Sequence, residues 1–247
     1  MIVGAGTLLN TATVLTGGVI GSVAGHRIPA RMRELVVQVL GIFVVVYGVK
    51  VATTASFHEA PHLAIVLIGL LIGSVVGSIL NIDGALLRFG AWAERRLVRG
   101  DEGGAEQSTG RVARAFVTTS LLYCVGPLTI LGSFDDGARG DILLLGIKST
   151  LDGIASLAFA VTLGRGVLLS AASVLVVQGA LTGVAYATRG SIDEFLVTQA
   201  LGAGGLMLVA IGLGLLEIRR IRVADMLPGL IFAPVVAAIS RAFGWGL

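Results

Sequence analysis

The chain has 247 residues, of which 55% are hydrophobic and only 13% are charged. A soluble domain carries about 25% charged residues, so this composition excludes a soluble globular protein and indicates an integral membrane protein. The net charge of +3 does not indicate nucleic-acid binding, because the arginines cluster at the ends of apolar runs, where membrane topology explains them. Cys124 is the only cysteine, which excludes an intramolecular disulfide.

The apolar runs of the chain are about 20 residues long, which is enough to cross a bilayer as helices. The predicted fold class is therefore an all-α integral membrane protein with about eight transmembrane helices. The predicted spans are residues 3–24, 35–56, 62–82, 112–133, 142–163, 166–188, 195–216 and 226–245.

A basic stretch between the third and fourth spans is predicted to lie along the membrane surface. In residues 86–99, apolar residues such as Phe89 and Trp92 recur at helical spacing, and arginines such as Arg88 occupy much of the rest. Residues 100–110 are rich in glycine and polar residues and are predicted to form a flexible cytoplasmic loop.

The positive charges orient the predicted spans. Most of the 18 Lys and Arg residues fall in connections one, three, five and seven of the eight-span arrangement. Because cytoplasmic loops are enriched in Lys and Arg, these connections are predicted to be cytoplasmic and both termini to lie outside the cytoplasm. An error of one span would mix basic and non-basic connections, so the charge distribution supports eight spans.

The apolar sequence contains one pattern twice, with the two copies in the same order along the chain. Such internal repeats are common in membrane transporters. The matching segments are residues 6–15 with 166–175, Gln38–Gly41 with Gln199–Gly202, and 69–79 with 229–239.

The span count predicts that the two copies are inverted. Repeat A, residues 3–82, begins with span one, and repeat B, residues 166–245, begins with span six. The offset between the two is an odd number of spans, so the copies of this three-helix repeat are expected to cross the membrane in opposite directions. Between them lie the surface helix and loop, 83–111, and an inserted helix pair, 112–163, all within a single membrane domain, 1–247.

Two motifs resemble those of a known family. The first is Gly-Thr-Leu-Leu-Asn followed by Gly-His-Arg-Ile-Pro, within residues 6–29, and the second is Gly-Ser-Phe-Asp-Asp-Gly-x-x-Gly-Asp followed by Lys-Ser-x-x-Asp, within 132–152. Together they resemble the YqgA/YdfK-like family of bacterial inner-membrane proteins over essentially the whole chain. That family is a domain of unknown function for which a sodium channel or pump has been suggested. The resemblance therefore implies a multi-pass protein of the bacterial inner (plasma) membrane with a role in ion transport, and it brings no catalytic residues.

Lys148 and Asp152 are the clearest candidates for chemistry inside a span. They are four residues apart on one predicted helix, so they share a face and can pair. Charged groups inside the membrane are costly and mark ion pathways. Ser149 and Thr150 add hydroxyl groups nearby. The pair is predicted to exchange a proton or to release its carboxylate to a cation; the alternative is that Asp152 only neutralises Lys148 and fixes the rotation of the span.

The repeat relates two further pairs of polar residues, Asn10 with Ser170 and Gln38 with Gln199. If their helices line one pathway, these side chains are expected to converge near the centre of the bilayer and to offer neutral oxygens to an ion or solute. The alternative is that they form interhelical hydrogen bonds, which contribute about 0.6 kcal/mol each.

Three carboxylates, Asp135, Asp136 and Asp141, flank the predicted external mouth between spans four and five. Such a cluster is expected to concentrate cations at an entrance, and the alternative is a solvated acidic turn. Just before it, the Gly126-Pro127 pair predicts that span four unwinds and frees backbone carbonyls.

The predicted function is that of a small-solute transporter or channel with a central site between the repeats. The predicted solute is a monovalent cation. No enzyme motif, metal-ligand spacing or phosphate-binding loop is visible, so no catalytic residue, cofactor, metal or nucleic-acid partner is predicted. The predicted partners are a small ion or solute, the lipid bilayer and a second copy of the chain in a homodimer. The alternative function is a non-transporting scaffold or sensor that acts through partners at residues 86–114.

Glycines spaced by four residues give two predicted helices a flat face. Such faces allow close packing, either within the subunit or in the homodimer, and the alternative is a face of small residues that lines a pore. The glycines are Gly17, Gly21 and Gly25 in span one, and Gly69, Gly73 and Gly77 in span three.

Overall fold

A computed structural model describes residues 3–24, 29–56, 60–97, 105–188, 193–219 and 221–243. The regular structure of these residues is helical throughout. The α-helices are α1 Ala5–Ala24, α2 Ala30–Ser56, α3 Ala60–Leu80, α4 Ile82–Leu97, α5 Ala105–Val125, α6 Pro127–Arg139, α7 Leu143–Leu163, α8 Gly166–Thr188, α9 Glu194–Leu215 and α10 Gly229–Ala242, and a short 3₁₀ helix, Val223–Met226, precedes α10.

The predicted number of membrane spans agrees with the structure, with the fourth span in two parts. Within the described residues, seven helices are long and apolar enough to cross a membrane, and the number is eight if α5 and α6 form one bent span. The two helices meet at an angle of 57° around Gly126. Pro127 has no N–H group to continue the hydrogen-bond ladder of α5, and proline is favoured at the first position of a new helix. The predicted interruption of span four is confirmed.

The segment between α3 and α5 is more helical than the sequence predicted. The surface helix predicted over 86–99 is α4, which begins earlier, at Ile82. Residues 105–110 form the first turns of α5, so the prediction of a flexible loop is wrong for this part. The apolar span continues this helix, and Gly110 alone costs about 1 kcal/mol, too little to end it. Residues 100–104 of the predicted loop lie outside the described residues.

The helices group into two compact units, and the first contains α1, α7 and α8 with most of α4 and α5 and the end of α6. In this unit α1 runs parallel to α7. Gly17 packs against Gly153, and one turn later in both helices Gly21 packs against Leu157. Both glycines are in such close contact with carbonyl groups of α7 that a Cβ atom would overlap them. Because glycine has no side chain, the two backbones can approach closely, as expected of a glycine face in a membrane protein.

The other neighbour of α1 in the first unit is α8, which runs in the opposite direction. Asn10 of α1 meets Gln178 of α8, whereas Gly18, two turns further along α1, packs against Leu168. Helix α1 thus contacts both α7 and α8.

The second unit contains most of α2 together with α3, α9, α10 and residues 125–130. Its helices form two antiparallel pairs that also pack closely through glycines. The contacts are Gly41 with Leu216 and Gly48 with Val209 between α2 and α9, and Gly69 with Ala233 and Gly73 with Gly229 between α3 and α10.

The packing directions agree with the eight-span arrangement. In such a chain, spans separated by an odd number of crossings run in opposite directions, and spans separated by an even number run in the same direction. The pairs α1–α8, α2–α9 and α3–α10 are each five spans apart and are antiparallel, whereas α1 and α7 are four spans apart and are parallel.

The apolar residues are distributed as expected for helices surrounded by lipid. Val14 in the first unit and Met207 in the second are fully buried. Large apolar side chains on the outer faces, such as Val46, Val176 and Ile231, are mostly exposed. Water would disfavour so many exposed aliphatic groups, whereas the hydrocarbon core of a bilayer accommodates them.

A single methyl group at the α1–α7 crossing is expected to destabilise the protein. The Cβ atom of Gly17→Ala would overlap the carbonyl group of Gly153, and such overpacking costs about 1–3 kcal/mol. The thermal unfolding midpoint of the purified protein in detergent should therefore fall.

The matched control is Gly146→Ala on α7, where no atom lies within 4 Å of the added Cβ. This variant should unfold at the wild-type temperature or slightly above it, because alanine favours a helix more than glycine does. Equal midpoints for the two variants would contradict the close crossing.

Candidate functional site

A polar cluster lies among apolar side chains where α1, α7 and α8 pack together in the first unit. Its charged members, Lys148 and Asp152, form an ion pair one turn apart on α7. Their side chains are only 5% and 13% exposed. The spacing in the sequence predicted this pairing, and the burial makes it an uncommon arrangement, because removing two charges from water is costly.

Asn10 of α1 connects the ion pair to the neighbouring helices. Its fully buried amide nitrogen donates to Asp152 Oδ2 at 3.0 Å and to Gln178 Oε1 at 2.9 Å. The amide oxygen of Asn10 is also buried and has no hydrogen-bond partner among the described residues. One side chain therefore joins α7 to α8 and still presents a free acceptor beside the carboxylate.

The polar cluster continues from Gln178 towards the start of α1. Gln178 Nε2 donates to Thr7 Oγ1 at 3.3 Å, and Thr7 Oγ1 lies 3.3 Å from Thr182 Oγ1. All three side chains are buried. Thr7 and Asn10 share a face of α1, and Gln178 and Thr182 share a face of α8, because their spacings are three and four residues. The result is a chain of polar groups that extends along the α1–α8 interface.

At the other end of the polar cluster, helix α5 contributes a phenol. Tyr123 is fully buried and lies close enough to Asp152 and Ser156 to interact with both. Ser156 donates to the carbonyl oxygen of Val14 at 2.7 Å, which adds a hydrogen bond between α7 and α1.

The remaining hydroxyl groups predicted for the site bond within their own helices. Ser149 is buried and donates to Leu145 O at 2.6 Å, and Ser170 is buried and donates to Val167 O. Thr150 is exposed and donates to Gly146 O at 3.2 Å. The structure therefore does not bring these three hydroxyls to Asp152.

The two repeat-related glutamines have different environments. Gln38 is exposed, and its nearest polar partner is Glu34 one turn earlier, at 3.4 Å. Gln199 belongs to the second unit and is fully buried, and neither atom of its amide group has a hydrogen-bond partner among the described residues. Neither glutamine belongs to the polar cluster.

Two of the three predicted entrance carboxylates have local partners. Asp135 lies on α6 and pairs with the exposed Arg139 at 3.3 Å. Asp141 lies in the connection to α7 and accepts from the N–H of Leu143 at 2.9 Å, at the start of that helix. Helix α6 extends to Arg139, so the connection is shorter than the sequence predicted.

Asp136, the third predicted entrance residue, is fully buried. Its Oδ1 atom accepts from the N–H of Gly4 at 3.0 Å, and its Oδ2 atom has no hydrogen-bond partner among the described residues. Asp136 is therefore a buried acid next to the start of α1, and the alternative of a solvated acidic turn is wrong for this residue.

A cavity of about 400 Å³ lies next to Asp136, and we call it the vestibule. It is formed at the ends of α6 and α8 and just before α1. Its lining residues are Val3, Gly137, Ala138, Arg139, Gly140, Tyr186 and Ala187.

The polar cluster combines one carboxylate, one ammonium group and several neutral amide and hydroxyl oxygens. Hard oxygen ligands with a single negative charge suit a small cation of low charge. In the described part of the chain, no group of three or more His, Cys, Asp and Glu side chains is placed to hold a metal ion. The chemistry that the geometry allows is competition between Lys148 and a cation for Asp152.

Sequence reasoning missed four members of the polar cluster: Gln178, Thr7, Thr182 and Tyr123. Gln178 is an isolated amide in an otherwise apolar run, which is a signal that the sequence contains. The repeat drew attention to Ser170 on the same helix instead, because Ser170 is the counterpart of Asn10. Which residue of α8 faces Asn10 depends on the antiparallel register of the two helices, and this register is not readable from the sequence alone.

The chain matches a protein family and two relatives over nearly its whole length. Residues 5–238 match the family model described as a protein of unknown function, DUF554. The chain is 29% identical over 239 residues to the uncharacterized membrane protein YdfK of Bacillus subtilis (strain 168), which covers 97% of this chain and 98% of the relative. It is 26% identical over 238 residues to the uncharacterized protein YqgA of Escherichia coli (strain K12), which covers 96% and 98%. No solved structure matches. The resemblance predicted from the two motifs is confirmed.

The ion pair is expected to show strong coupling in a double-mutant cycle. Asp152→Leu alone would leave the Lys148 ammonium buried without its partner, and Lys148→Met alone would leave the Asp152 carboxylate buried without its partner. Each single change should lower the free energy of unfolding by about 3–5 kcal/mol. The double variant replaces the pair by apolar side chains of similar size and should unfold near the wild-type temperature. Thermal unfolding in detergent measures all four proteins, and additive losses would contradict the pairing.

Proposed function

The chain belongs to the DUF554 family, and we propose that it is a small-solute transporter or channel of the bacterial inner membrane, selective for monovalent cations. The names of its relatives say nothing of a transported solute. The proposal therefore depends on the site, and it assigns the protein no enzymatic activity and no cofactor.

The observation that carries the proposal is the buried Lys148–Asp152 pair beside an unused acceptor. A pair of charges inside a membrane span is weak evidence for stability, because apolar residues of the same size pack equally well there. Intramembrane charges more often mark ion pathways. The amide group of Asn10 bonds to the Asp152 carboxylate, and its oxygen Oδ1 has no hydrogen-bond partner among the described residues. This oxygen is therefore available as a ligand for a cation.

The proposed mechanism is competition of two positive charges for one carboxylate. A cation that binds Asp152 comes close to the Lys148 ammonium, and two unit charges about 4 Å apart repel by about 4 kcal/mol at an effective dielectric constant of 20. Cation binding therefore displaces the ammonium or favours loss of its proton. When the cation leaves, Lys148 pairs with Asp152 again and restores the empty state.

The inverted repeat is part of this proposal, because it provides two halves that alternate around a site. Its support comes from the packing of counterpart helices. In the first unit α1 packs antiparallel to α8, and in the second unit α2 packs antiparallel to α9 and α3 to α10. Two copies related by a two-fold axis in the membrane plane produce this antiparallel packing of every counterpart pair.

A scaffold or sensor function is the alternative. Its surface would include α4, where Phe89 and Trp92 are largely exposed and Phe89 packs against Phe116 of α5 with ring centroids 5.7 Å apart. Aromatic residues on an amphipathic helix equally suit the membrane surface, so this face does not favour a protein partner. Deletion of residues 100–104 should leave ion flux intact and would impair a scaffold that uses this region.

Asp152→Asn should abolish cation flux in a protein that still folds, although the unpaired Lys148 ammonium lowers its stability. Asparagine keeps the shape of the side chain and can still accept from Asn10, but it has no charge for a cation or for Lys148. Flux of Na⁺ and K⁺ into liposomes that contain the purified variant should fall to the level of empty liposomes.

The matched control for this measurement is Thr150→Val on the same helix, because Thr150 is exposed and bonds only to its own helix. This variant should transport at the wild-type rate. Unchanged flux in Asp152→Asn, or no flux in the wild-type protein with any monovalent cation, would exclude the proposed function.

The proposed membrane orientation places both termini outside the cytoplasm. A green fluorescent protein fused to the C-terminus should then be non-fluorescent after export, and alkaline phosphatase fused at the same point should be active. A fluorescent fusion together with an inactive phosphatase would place the C-terminus in the cytoplasm and contradict the proposed orientation.

A further inference from the structure

We infer that Asp136 and Ser133 form a second binding site for a monovalent cation, between the vestibule and the Asn10–Asp152 site. This inference rests on the proposed function and adds to it an access route and a second ion. We refer to this second site as the entry site.

The evidence for the entry site is a pair of buried oxygens that the fold leaves unused. Asp136 and Ser133 are both fully buried in the first unit. Asp136 Oδ2 and Ser133 Oγ have no hydrogen-bond partner among the described residues. The two residues are three positions apart on α6 and therefore share a helix face. Buried polar atoms without partners are rare in folded proteins, and a ligand or ion is one explanation for them.

Among the described residues, no basic side chain forms an ion pair with Asp136. The Gly4 N–H satisfies Oδ1 only, and Oδ2 lies against Gly6, where a built Cβ atom would be 3.2 Å away. Arg139, the nearest basic residue along α6, is exposed and pairs with Asp135. A buried carboxylate in an apolar setting is costly unless a cation or a proton accompanies it. A bound cation would supply this missing charge.

The vestibule lies beside the residues that adjoin the entry site along the chain. Val3 and Gly137 line the cavity, and they are the chain neighbours of Gly4 and Asp136, the two partners of the hydrogen bond. The cavity therefore lies within one residue of both Gly4 and Asp136 along the chain.

The entry site and the Asn10–Asp152 site follow each other along α1. Gly6, which lies beside Asp136 Oδ2, and Asn10, which bonds to Asp152, are four residues apart on α1, so about 6 Å of helix axis separates the two sites. Thr7 and Thr182 place hydroxyl oxygens between them. Two cations in series at this spacing repel each other, which helps release the inner ion.

The binding of radioactive sodium to the purified full-length protein in detergent tests this inference. The wild-type chain should bind two Na⁺ ions, Asp136→Asn one, Asp152→Asn one, and the double variant none. Ser133→Ala removes only a hydroxyl group and should weaken one of the two sites by about tenfold. The matched control is Asp135→Asn, whose carboxylate pairs with Arg139 at the surface, and it should bind two ions.

The outcomes separate the entry site from the proposed function. If Asp136→Asn elutes and melts like the wild-type protein and still binds the wild-type number of ions, the entry site is excluded, even where Asp152→Asn abolishes flux. If Asp136→Asn loses one ion but Asp152→Asn transports normally, the entry site stands and the proposed function fails. If Asp136→Asn does not fold, Ser133→Ala decides, and unchanged affinity in that variant overturns the inference. Absence of saturable Na⁺ binding in the wild-type protein also overturns it.

Discussion

The ion pair between Lys148 and Asp152 imposes the constraint on which the first unit depends. Two charges inside a helix bundle must be compensated by each other and by neighbouring polar groups, because neither lipid nor apolar side chains can solvate them. Asn10 meets this need from α1, and Gln178 extends it to α8. The three helices are thus held in register by polar contacts in addition to apolar packing. Among the described residues, the amide oxygen Oδ1 of Asn10 has no hydrogen-bond partner.

Close approach of the helices makes these contacts possible. Gly17 and Gly21 let the backbone of α1 touch that of α7, and this crossing places Asn10 within 3.0 Å of Asp152. A larger residue at either glycine would push α1 away and lengthen this hydrogen bond. In the second unit, glycines produce equally close pairs, but its fully buried Gln199 lacks a partner in the described residues. Small residues thus set the distances, and the polar residues between them determine what each interface can do.

The interruption of span four adds a different element to the first unit. Pro127 starts a new helix, and the end of this helix places Asp136 beside the start of α1 and next to the vestibule. A straight helix would continue in the direction of α5. Helices α6 and α7 therefore provide the charged groups Asp136, Lys148 and Asp152, while α1 and α8 provide neutral partners such as Asn10. Charged and neutral polar groups therefore meet where these helices pack together.

The sequence by itself determined the class of protein, the positions of the spans, the break at Gly126-Pro127 and the pairing of Lys148 with Asp152. These features follow from apolar length, from the missing N–H of proline and from helical spacing, all of which are local. Only the tertiary structure decided that Asn10 bonds to Asp152, that Gln178 joins the polar cluster and Gln38 does not, and that Asp136 is buried. These facts depend on which faces of distant helices meet and in which register, and in a chain this rich in Leu, Val and Gly many registers bury similar apolar surface.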